Sequence, residues 1–257
     1  MIKIEHDGLG LWHFENFGKE QGIKHFVTDR NLSADGAVFT LSYTSTPDRS
    51  LVRNNRQRLA DALGIAENRL YFPSQVHKTR IVYVTSSTST EDLIDVDALM
   101  TAESGICIAV MSADCVPILL YDRKNQAVAA VHSGWRGTVA KILTKTLYAM
   151  REHFGTVGKD LLAGIGPSVS QDAYEVGEEV IREVDQAFGA SSGLMIPVAG
   201  NKAKLDLWKA NKMQLLEFGV GKSQIEIADL CTVKNNDAFF SARQGDAGRF
   251  AAGVMLI

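Results

Sequence analysis

The stretch Gly105–Gly137, with the sequence GICIAVMSADCVPILLYDRKNQAVAAVHSGWRG, decides how this chain folds. It holds three short apolar runs, at Gly105–Met111, Val116–Tyr121 and Ala127–Val131, with turn-forming residues between them. Short apolar runs bounded by turn residues are typical of strands that are buried on both faces. We therefore predict that these three runs and Val96–Met100 form buried strands of one sheet.

The second and third runs predict a hairpin that brings a thiol beside an imidazole. A four-residue loop over Asp122–Asn125 would pair Tyr121 with Gln126. The same register places Cys115 opposite His132, where side chains share a face with Cβ atoms roughly 4.5–5.5 Å apart. A three-residue loop would put the two on opposite faces. The pair suits two ligands of one ion, a nucleophilic thiol with its base, or a buried thiol beside a core histidine.

A third residue, His77, lies in a turn between two predicted strands. Two histidines and one cysteine match a catalytic zinc site, which has three protein ligands and an open fourth position for water. Copper also binds such sets, but a multicopper oxidase needs many more imidazoles, and only four other histidines remain, none in an HxH pair. The residues therefore favour zinc at His77, Cys115 and His132, with copper a weaker alternative.

Further polar residues are candidates for substrate binding and catalysis. Asp114 precedes the cysteine and is expected to orient a ligating histidine or to act as a general acid. Arg136 begins a predicted helix, whose first N–H groups favour anions, and it is the expected main anion contact. We predict that Arg56, Gln75 and Arg243 also contact the substrate. Asp114 and Cys115 are the predicted catalytic residues.

Composition limits the class of protein. The 257 residues are 46% hydrophobic and 22% charged, with a net charge of −3, as in ordinary globular proteins. No basic stripe indicates a nucleic-acid partner. No apolar run approaches the roughly 20 residues that span a bilayer, the N-terminus lacks the apolar segment of a signal peptide, and the three cysteines suggest no disulfide framework. We expect a soluble cytoplasmic protein without membrane contact.

The rest of the chain mixes strands and helices without regular alternation. Asp48 as N-cap and Gly64 as the end predict a helix over Arg49–Leu63. Further helices are predicted at Gly137–Phe154, Tyr174–Phe188 and Leu205–Phe218, and further strands at Ala37–Thr44, Leu161–Ile165, Ile225–Ala228, Ala238–Ala242 and Arg249–Ile257. These elements predict one α+β domain over residues 1–257, with mixed β-sheets layered between helices.

Several motifs carry a family resemblance. They are SQVH (Ser74–His77), VDALMT (Val96–Thr101), SADCVPILL (Ser112–Leu120), AAVHSGWRG (Ala129–Gly137), GIGPSVSQDAYEVGEEV (Gly164–Val180), LDLWKAN (Leu205–Asn211), and CT followed by FFSAR (Cys231–Thr232 and Phe239–Arg243). From about Ile23 onward the chain resembles the laccase-domain proteins, which were long labelled multicopper polyphenol oxidases and are described as zinc-dependent purine nucleoside enzymes.

The resemblance implies zinc at His77, Cys115 and His132. It also implies a four-layer α/β/β/α fold related to cysteine-hydrolase toxins. The implied activity is phosphorolysis of adenosine, inosine and S-methyl-5'-thioadenosine, together with hydrolytic deamination of adenosine. Purine nucleosides and phosphate would be the small-molecule partners.

The chain departs from the family pattern near its N-terminus. Thr40-Leu41-Ser42 replaces a serine-leucine-asparagine run, and Asp29 is inserted between Thr28 and Arg30. The ligand motifs are intact, so these changes bear on substrate preference if the loop over 28–36 sets it.

Three alternative functions stay open: a metal-free cysteine hydrolase with Cys115 as nucleophile, a copper-dependent polyphenol oxidase, and a metal-bound scaffold without activity.

Overall fold

The computed structural model of the protein describes residues 1–6, 9–30 and 38–257. Its strands, in chain order, are β1 (Ile2–His6), β2 (Leu9–His13), β3 (Ile23–Val27), β4 (Leu70–Tyr71), β5 (Ile81–Tyr83), β6 (Ala98–Thr101), β7 (Cys107–Ser112), β8 (Val116–Asp122), β9 (Ala127–Ser133), β10 (Leu161–Ile165), β11 (Glu175–Val176), β12 (Met195–Val198), β13 (Lys202–Leu205), β14 (Ile225–Ile227) and β15 (Phe250–Leu256). Its α-helices are α1 (Arg49–Leu63), α2 (Trp135–Val139), α3 (Ile142–Phe154), α4 (Glu178–Phe188) and α5 (Leu207–Glu217).

Two six-stranded mixed sheets form the body of the fold. The first sheet has the order β1-β2-β3-β15-β7-β4, and the second has the order β14-β10-β8-β9-β6-β5. A small antiparallel sheet, β11-β13-β12, lies apart from them. Both large sheets are mixed because β4 runs parallel to β7, and β5 and β14 run parallel to β6 and β10. The predicted α+β class with mixed sheets is confirmed.

Side-chain alternation builds four layers from these sheets. In β7, Ile108 and Val110 face the second sheet, where they pack with Leu119 and Val128. The intervening Ala109 faces α1 on the other side, because successive residues of a strand point to opposite faces. The far face of the second sheet packs against α3 and α5. The resulting order of helix, sheet, sheet and helix is the predicted α/β/β/α arrangement.

The first helix forms where its capping residues predict it. The Asp48 carboxylate accepts the backbone N–H groups of Ser50 and Leu51, both at 3.0 Å. Gly64 ends the helix in the left-handed conformation, at φ 72°, which costs glycine little. The helix over Arg49–Leu63 is therefore confirmed at both ends. No helix among the described residues is long and apolar enough to cross a membrane.

The central strands belong to two sheets, so the prediction of one sheet was wrong. The run Gly105–Met111 becomes β7 in the first sheet, whereas β6, β8 and β9 lie in the second. The chain crosses between the sheets in the turn Ala113–Cys115, after β7 and before β8. It crosses a second time between β4 and β5, in the segment that contains His77. Apolar runs show that strands are buried but do not show which sheet each one joins.

Other element predictions need smaller corrections. The helix predicted over Gly137–Phe154 is divided into α2 and α3 by Lys141, at φ 59°. No strand forms over Ala238–Ala242, where turns and a 3₁₀ turn replace it. The described part of the predicted strand Ala37–Thr44, residues 38–44, is also not in a strand. Its backbone makes one hydrogen bond to the carbonyl of Arg30 and one to the carbonyl of Arg249.

The hairpin of β8 and β9 has the predicted loop length but a different register. Asp122 pairs with Ala127 and is not part of the loop, so the four-residue loop is 123–126, and Pro117 lies opposite His132. The Asp122 carboxylate accepts the N–H groups of Lys124 and Asn125 at 3.0 Å and begins the turn one residue later than predicted. The shift moves the partner by two positions. Because a shift of two keeps the same face, Cys115 still lies on the side of His132.

Candidate metal centre

The turn between β7 and β8 presents Cys115 at the edge where the sheets meet. Asp114 has a left-handed backbone at φ 87°, which is rare for a residue with a side chain. Its buried carboxylate holds this turn in place: one oxygen accepts the Thr232 hydroxyl at 2.6 Å, and the other accepts the backbone N–H of Arg243 at 2.8 Å. The Ser112 hydroxyl also donates to the carbonyl of Cys115 at 2.5 Å.

The imidazole of His132 is oriented by a buried aspartate. His132 lies near the end of β9, and its Nδ1 is 2.9 Å from Oδ1 of Asp97, which precedes β6. A carboxylate can only accept, so Nδ1 carries a proton and Nε2 is the nitrogen left to contact a metal ion. A proton on Nδ1 is the arrangement that second-shell carboxylates impose on metal-ligating histidines. The partner of the ligating histidine is thus Asp97, and the expectation that Asp114 has this place was wrong.

The same carboxylate fixes the turn that carries His77. Oδ1 of Asp97 accepts the backbone N–H of His77 at 2.9 Å, and Oδ2 accepts that of Lys78 at 2.8 Å. These bonds hold His77 at φ 61°, a second left-handed backbone at the site. Strained conformations of this kind persist only where surrounding contacts impose them, and they cluster at functional sites.

The three side chains come together as the sequence predicts. The potential ligand atoms of His77, Cys115 and His132 all lie within 4.8 Å of one another. In the described part of the chain, no other three His, Cys, Asp or Glu side chains form such a group. Gly134 makes the approach possible: a Cβ there would be 2.8 Å from Sγ of Cys115 and 3.1 Å from Cδ2 of His77. One thiolate and two imidazoles form a donor set that suits zinc.

Electrostatics favour a charged thiolate at this position. Burial raises the pKa of Cys115, but the adjacent His132 and His77 outweigh burial and lower that pKa to about 6. Burial likewise lowers the pKa of His132, yet Cys115 and Asp97 raise it to about 9. Burial also raises the pKa of Asp97, and its hydrogen bonds hold the pKa below the ordinary value. The negative charges of Cys115 and Asp97 and the positive charge of His132 therefore stabilise one another.

A cavity of about 560 Å³ opens beside the three side chains. Arg56 lies in its wall, with the guanidinium 4.4 Å from the ring centres of both Tyr43 and Phe72. Two of its nitrogens donate to the carbonyl of Leu41, at 3.0 and 2.8 Å. Burial lowers the pKa of Arg56 to about 10, which leaves the group charged at neutral pH. A positive charge is thus fixed between two aromatic rings.

The other predicted binding residues have different positions. Arg243 lines the cavity, stacks on Tyr174 at 4.6 Å and donates to the carbonyl of Glu175. Arg249, not among the predicted residues, also lines the cavity. Arg136 is exposed, stacks on Trp135 at 4.2 Å, and is not among the residues that line the cavity. Its position does not support a main role in anion binding.

Gln75 lines the cavity as well, but both ends of its side-chain amide are engaged. Nε2 donates to the carbonyl of Met111, and Oε1 accepts the N–H of Met111, both at 2.7 Å. The side chain therefore ties the segment before His77 to the end of β7. Substrate contact by Gln75 stays a prediction. The predicted specificity loop over 28–36 is only partly described, because residues 31–37 lie outside the described part of the chain.

Three further residues at the site, besides Arg249, were not identified from the sequence and have distinct roles. Asp97 gives a signal, because it is an acidic residue inside the apolar run VDALM, and such a buried charge needs partners. Tyr174 lines the cavity, and burial raises its pKa to about 12, so its phenol stays a proton donor. Gly134 lies in a motif that resembles the family, but its role depends on contacts between distant segments.

Known proteins match this chain over most of its length. A family model described as multi-copper polyphenol oxidoreductase laccase matches residues 24–257. A protein of Bacteroides thetaiotaomicron named purine nucleoside phosphorylase is 39% identical, over 100% of this chain and 99% of that protein. A prokaryotic protein named adenosine deaminase RL5 is 34% identical, over 91% of this chain and 94% of that protein.

Solved structures share the fold. The hypothetical protein YfiH of Bacillus licheniformis has a TM-score of 0.90 at 25% identity and covers 98% of both chains. YlmD of Geobacillus stearothermophilus has a TM-score of 0.88 at 28% identity, over 98% of this chain and 97% of that one. The four layers described above are thus shared over nearly the whole chain.

Proposed function

The chain belongs to the family described as multi-copper polyphenol oxidoreductase laccase, and from this we propose that it is a zinc-dependent purine nucleoside phosphorylase that also deaminates adenosine. The observation that carries the proposal is the group of His77, Cys115 and His132 beside a cavity of about 560 Å³. Full-length relatives named purine nucleoside phosphorylase and adenosine deaminase support the substrate class. Adenosine, inosine and S-methyl-5'-thioadenosine are the proposed nucleosides.

The three side chains are the proposed zinc ligands. Zinc held by three protein ligands lowers the pKa of a bound water to about 7 and polarises bound groups. The chain prepares this site through Asp97, which keeps the proton on Nδ1 of His132 and fixes the backbone at His77. Hydrogen bonds within the chain therefore orient two of the proposed ligands.

The walls of the cavity supply the proposed contacts to substrate. Arg56 and Arg243 place positive charge at the cavity and suit the phosphate that phosphorolysis consumes. Tyr43 and Phe72 lie on either side of Arg56, so this wall is both aromatic and cationic. Deamination uses water in place of phosphate. Only phosphorolysis would therefore depend on phosphate contacts from these arginines. Asp114, with both oxygens bonded, acts in this proposal by positioning Cys115.

The test is to follow adenosine by chromatography with and without phosphate. We expect inosine in both conditions, and adenine, with hypoxanthine formed from that inosine, only when phosphate is present. His77→Ala, Cys115→Ala and His132→Ala should each lose bound zinc and all of these products together. Full turnover by a zinc-free Cys115→Ala protein would overturn the proposal.

A metal-free cysteine hydrolase is a second candidate. The observation in its favour is the lowered pKa of Cys115, about 6, beside two histidines, since a thiolate next to a base is the nucleophile of such enzymes. It predicts activity that survives removal of zinc and is destroyed by a thiol alkylator. Activity that disappears with a chelator and returns with zinc would exclude it.

The family description also raises copper chemistry. Among the described residues, one three-ligand group is present, whereas a multicopper oxidase needs a trinuclear cluster with many imidazoles. A polyphenol oxidase would bind several copper ions and consume oxygen with phenols, and an inactive scaffold would turn over no nucleoside.

We also propose that residues 1–257 form one domain and that the protein acts in the cytoplasm. Fractionation of cells would test the location.

A further inference from the structure

A pair of histidines at the edge of the first sheet lines a different cavity from that of the proposed zinc site. His6 ends β1 and His13 ends β2, and their Nε2 atoms are 3.1 Å apart. Two nitrogens bound to one zinc ion at about 2.0–2.1 Å and a tetrahedral angle are separated by about 3.3 Å. The observed spacing is thus close to that of two ligands on one ion. We propose that His6 and His13 form a second metal site, which binds a divalent transition ion such as Zn²⁺, Ni²⁺ or Cu²⁺ through both Nε2 atoms.

The surroundings leave room for the ion. A cavity of about 230 Å³ is lined by both histidines and by Glu20, His25 and Lys24. Glu20 offers a carboxylate on the same wall, and water can complete the coordination. Lys24 also lines this cavity, and its ammonium donates to the carbonyl of Leu63 at 2.8 Å. The ligands favoured by zinc, nickel and copper are imidazoles of this kind.

The third histidine of the cluster has a supporting role. Nε2 of His25 accepts the backbone N–H of Phe14 at 2.9 Å, so its other nitrogen carries the proton. The ring of His25 packs edge-on against that of His13, with centroids 4.9 Å apart. His25 therefore orients His13 and is not itself a ligand. The structure thus supplies a held imidazole, a second imidazole in contact with it, and space beside them.

This site differs from the zinc site in strength and in chemistry. Its donors do not form a three-ligand group, so binding should be weaker than at the cysteine site. It contains no sulfur, so a bound Cu²⁺ or Ni²⁺ would show no thiolate charge-transfer absorption. The ion would fasten the edge strand β1 to β2, since one histidine comes from each strand. The inference goes beyond the proposed function and does not depend on it.

The experiment starts from protein whose cysteine site is already filled with one equivalent of zinc. Further Ni²⁺ or Zn²⁺ is added in a calorimeter, and bound metal is measured by elemental analysis after dialysis. We expect a second, weaker equivalent without thiolate charge-transfer absorption. His6→Gln and His13→Gln should each remove it, while His153→Gln, a change to an exposed histidine on α3, should keep it.

Thermal unfolding gives a second readout that depends on the same pair. Ions that bind only the folded protein raise its midpoint, so added Zn²⁺ should raise Tm in the zinc-loaded wild type and in His153→Gln. The two pair variants should show no rise, and their starting Tm values show whether they fold. A stoichiometry of one in the wild type, or a second equivalent that survives both substitutions as an adventitious ion only, would overturn the proposal. In that case the 3.1 Å contact is a hydrogen bond between imidazoles.

Discussion

Oδ1 of Asp97 lies 2.9 Å from Nδ1 of His132 and links two parts of the site that are distant in sequence. The same oxygen accepts the backbone N–H of His77, and the second oxygen accepts that of Lys78. One carboxylate therefore orients the ring of one proposed ligand and fixes the main chain of another. These bonds are made by the chain's own groups, so Asp97 positions both proposed ligands from one buried site.

Replacing Asp97 should weaken zinc binding while the ligands remain. In Asp97→Asn, the amide nitrogen cannot accept a hydrogen bond, so the backbone N–H groups near His77 lose an acceptor. Loss of such an outer partner costs about 10- to 100-fold in metal affinity. Competition with a chromogenic chelator measures the change. Asp122→Asn, at the hairpin loop and equally buried, is the control and should lower stability without changing zinc affinity.

A side chain at position 134 should disturb the metal site. Glycine is required there because a Cβ would clash with Cys115, and not because of the backbone conformation. Its φ is −70°, but a Cβ would be 2.8 Å from Sγ of Cys115. Overpacking of this kind costs roughly 1–3 kcal/mol, or about 5- to 150-fold in zinc affinity if it acts on the bound state. Gly134→Ala should therefore bind zinc more weakly by that factor. Gly177→Ala, where a Cβ meets nothing within 4 Å, should bind like the wild type.

The sequence predicts which residues form the ligand group better than it predicts the strand register that brings them together. Cys115 and His132 were expected on one face through a hairpin register, and that register proved to be shifted by two residues. The shared face survived because alternation has a period of two. The position of the turn depended on the Asp122 carboxylate and its bonds to Lys124 and Asn125. Local turn chemistry at this precision is not readable from residue types alone.

Contacts between segments distant in sequence limited the other predictions. The position of Arg136 near His132 in sequence suggested an anion contact, yet the side chain lies on the surface. Arg249 was not predicted to bind and lies at the cavity because β15 joins the first sheet beside β7. Sheet membership decided the position of Arg249. It is set by pairing across more than a hundred residues, which a single sequence does not reveal.

Alkylation of thiols should report whether zinc covers Cys115. This side chain lines the cavity, whereas Cys107 and Cys231 are buried, and burial also raises the pKa of Cys107. After treatment with a chelator, iodoacetamide should add one group per chain, at Cys115. Zinc-loaded protein should remain unmodified, as mass spectrometry of peptides would show. Equal modification with and without zinc would mean that the thiol is not a ligand.

The stability that Asp48 contributes should depend on pH. The hydroxyl and N–H of Ser50 and the N–H of Leu51 stabilise its charged form and hold the pKa below its ordinary value. A lowered pKa in the folded state means that the contribution is fully present above the ordinary aspartate pKa of about 3.9 and is lost as pH falls through the lower pKa of the folded state. Asp48→Ala should therefore lower Tm at pH 7, and the difference should shrink under more acidic conditions. Asp48→Asn keeps a capping oxygen and should show a smaller loss with little dependence on pH.

Arg56 offers the sharpest separation of the two proposed activities. Its guanidinium is held between Tyr43 and Phe72 and by the carbonyl of Leu41, a planar arrangement that lysine cannot reproduce. If it binds phosphate, Arg56→Lys should raise KM for phosphate by about 10- to 150-fold, since a charged hydrogen bond contributes roughly 1.5–3 kcal/mol. Deamination of adenosine uses no phosphate and should change less than twofold, which provides a control within one protein. Equal loss of both activities would show that Arg56 holds the nucleoside or the cavity wall and does not act on phosphate.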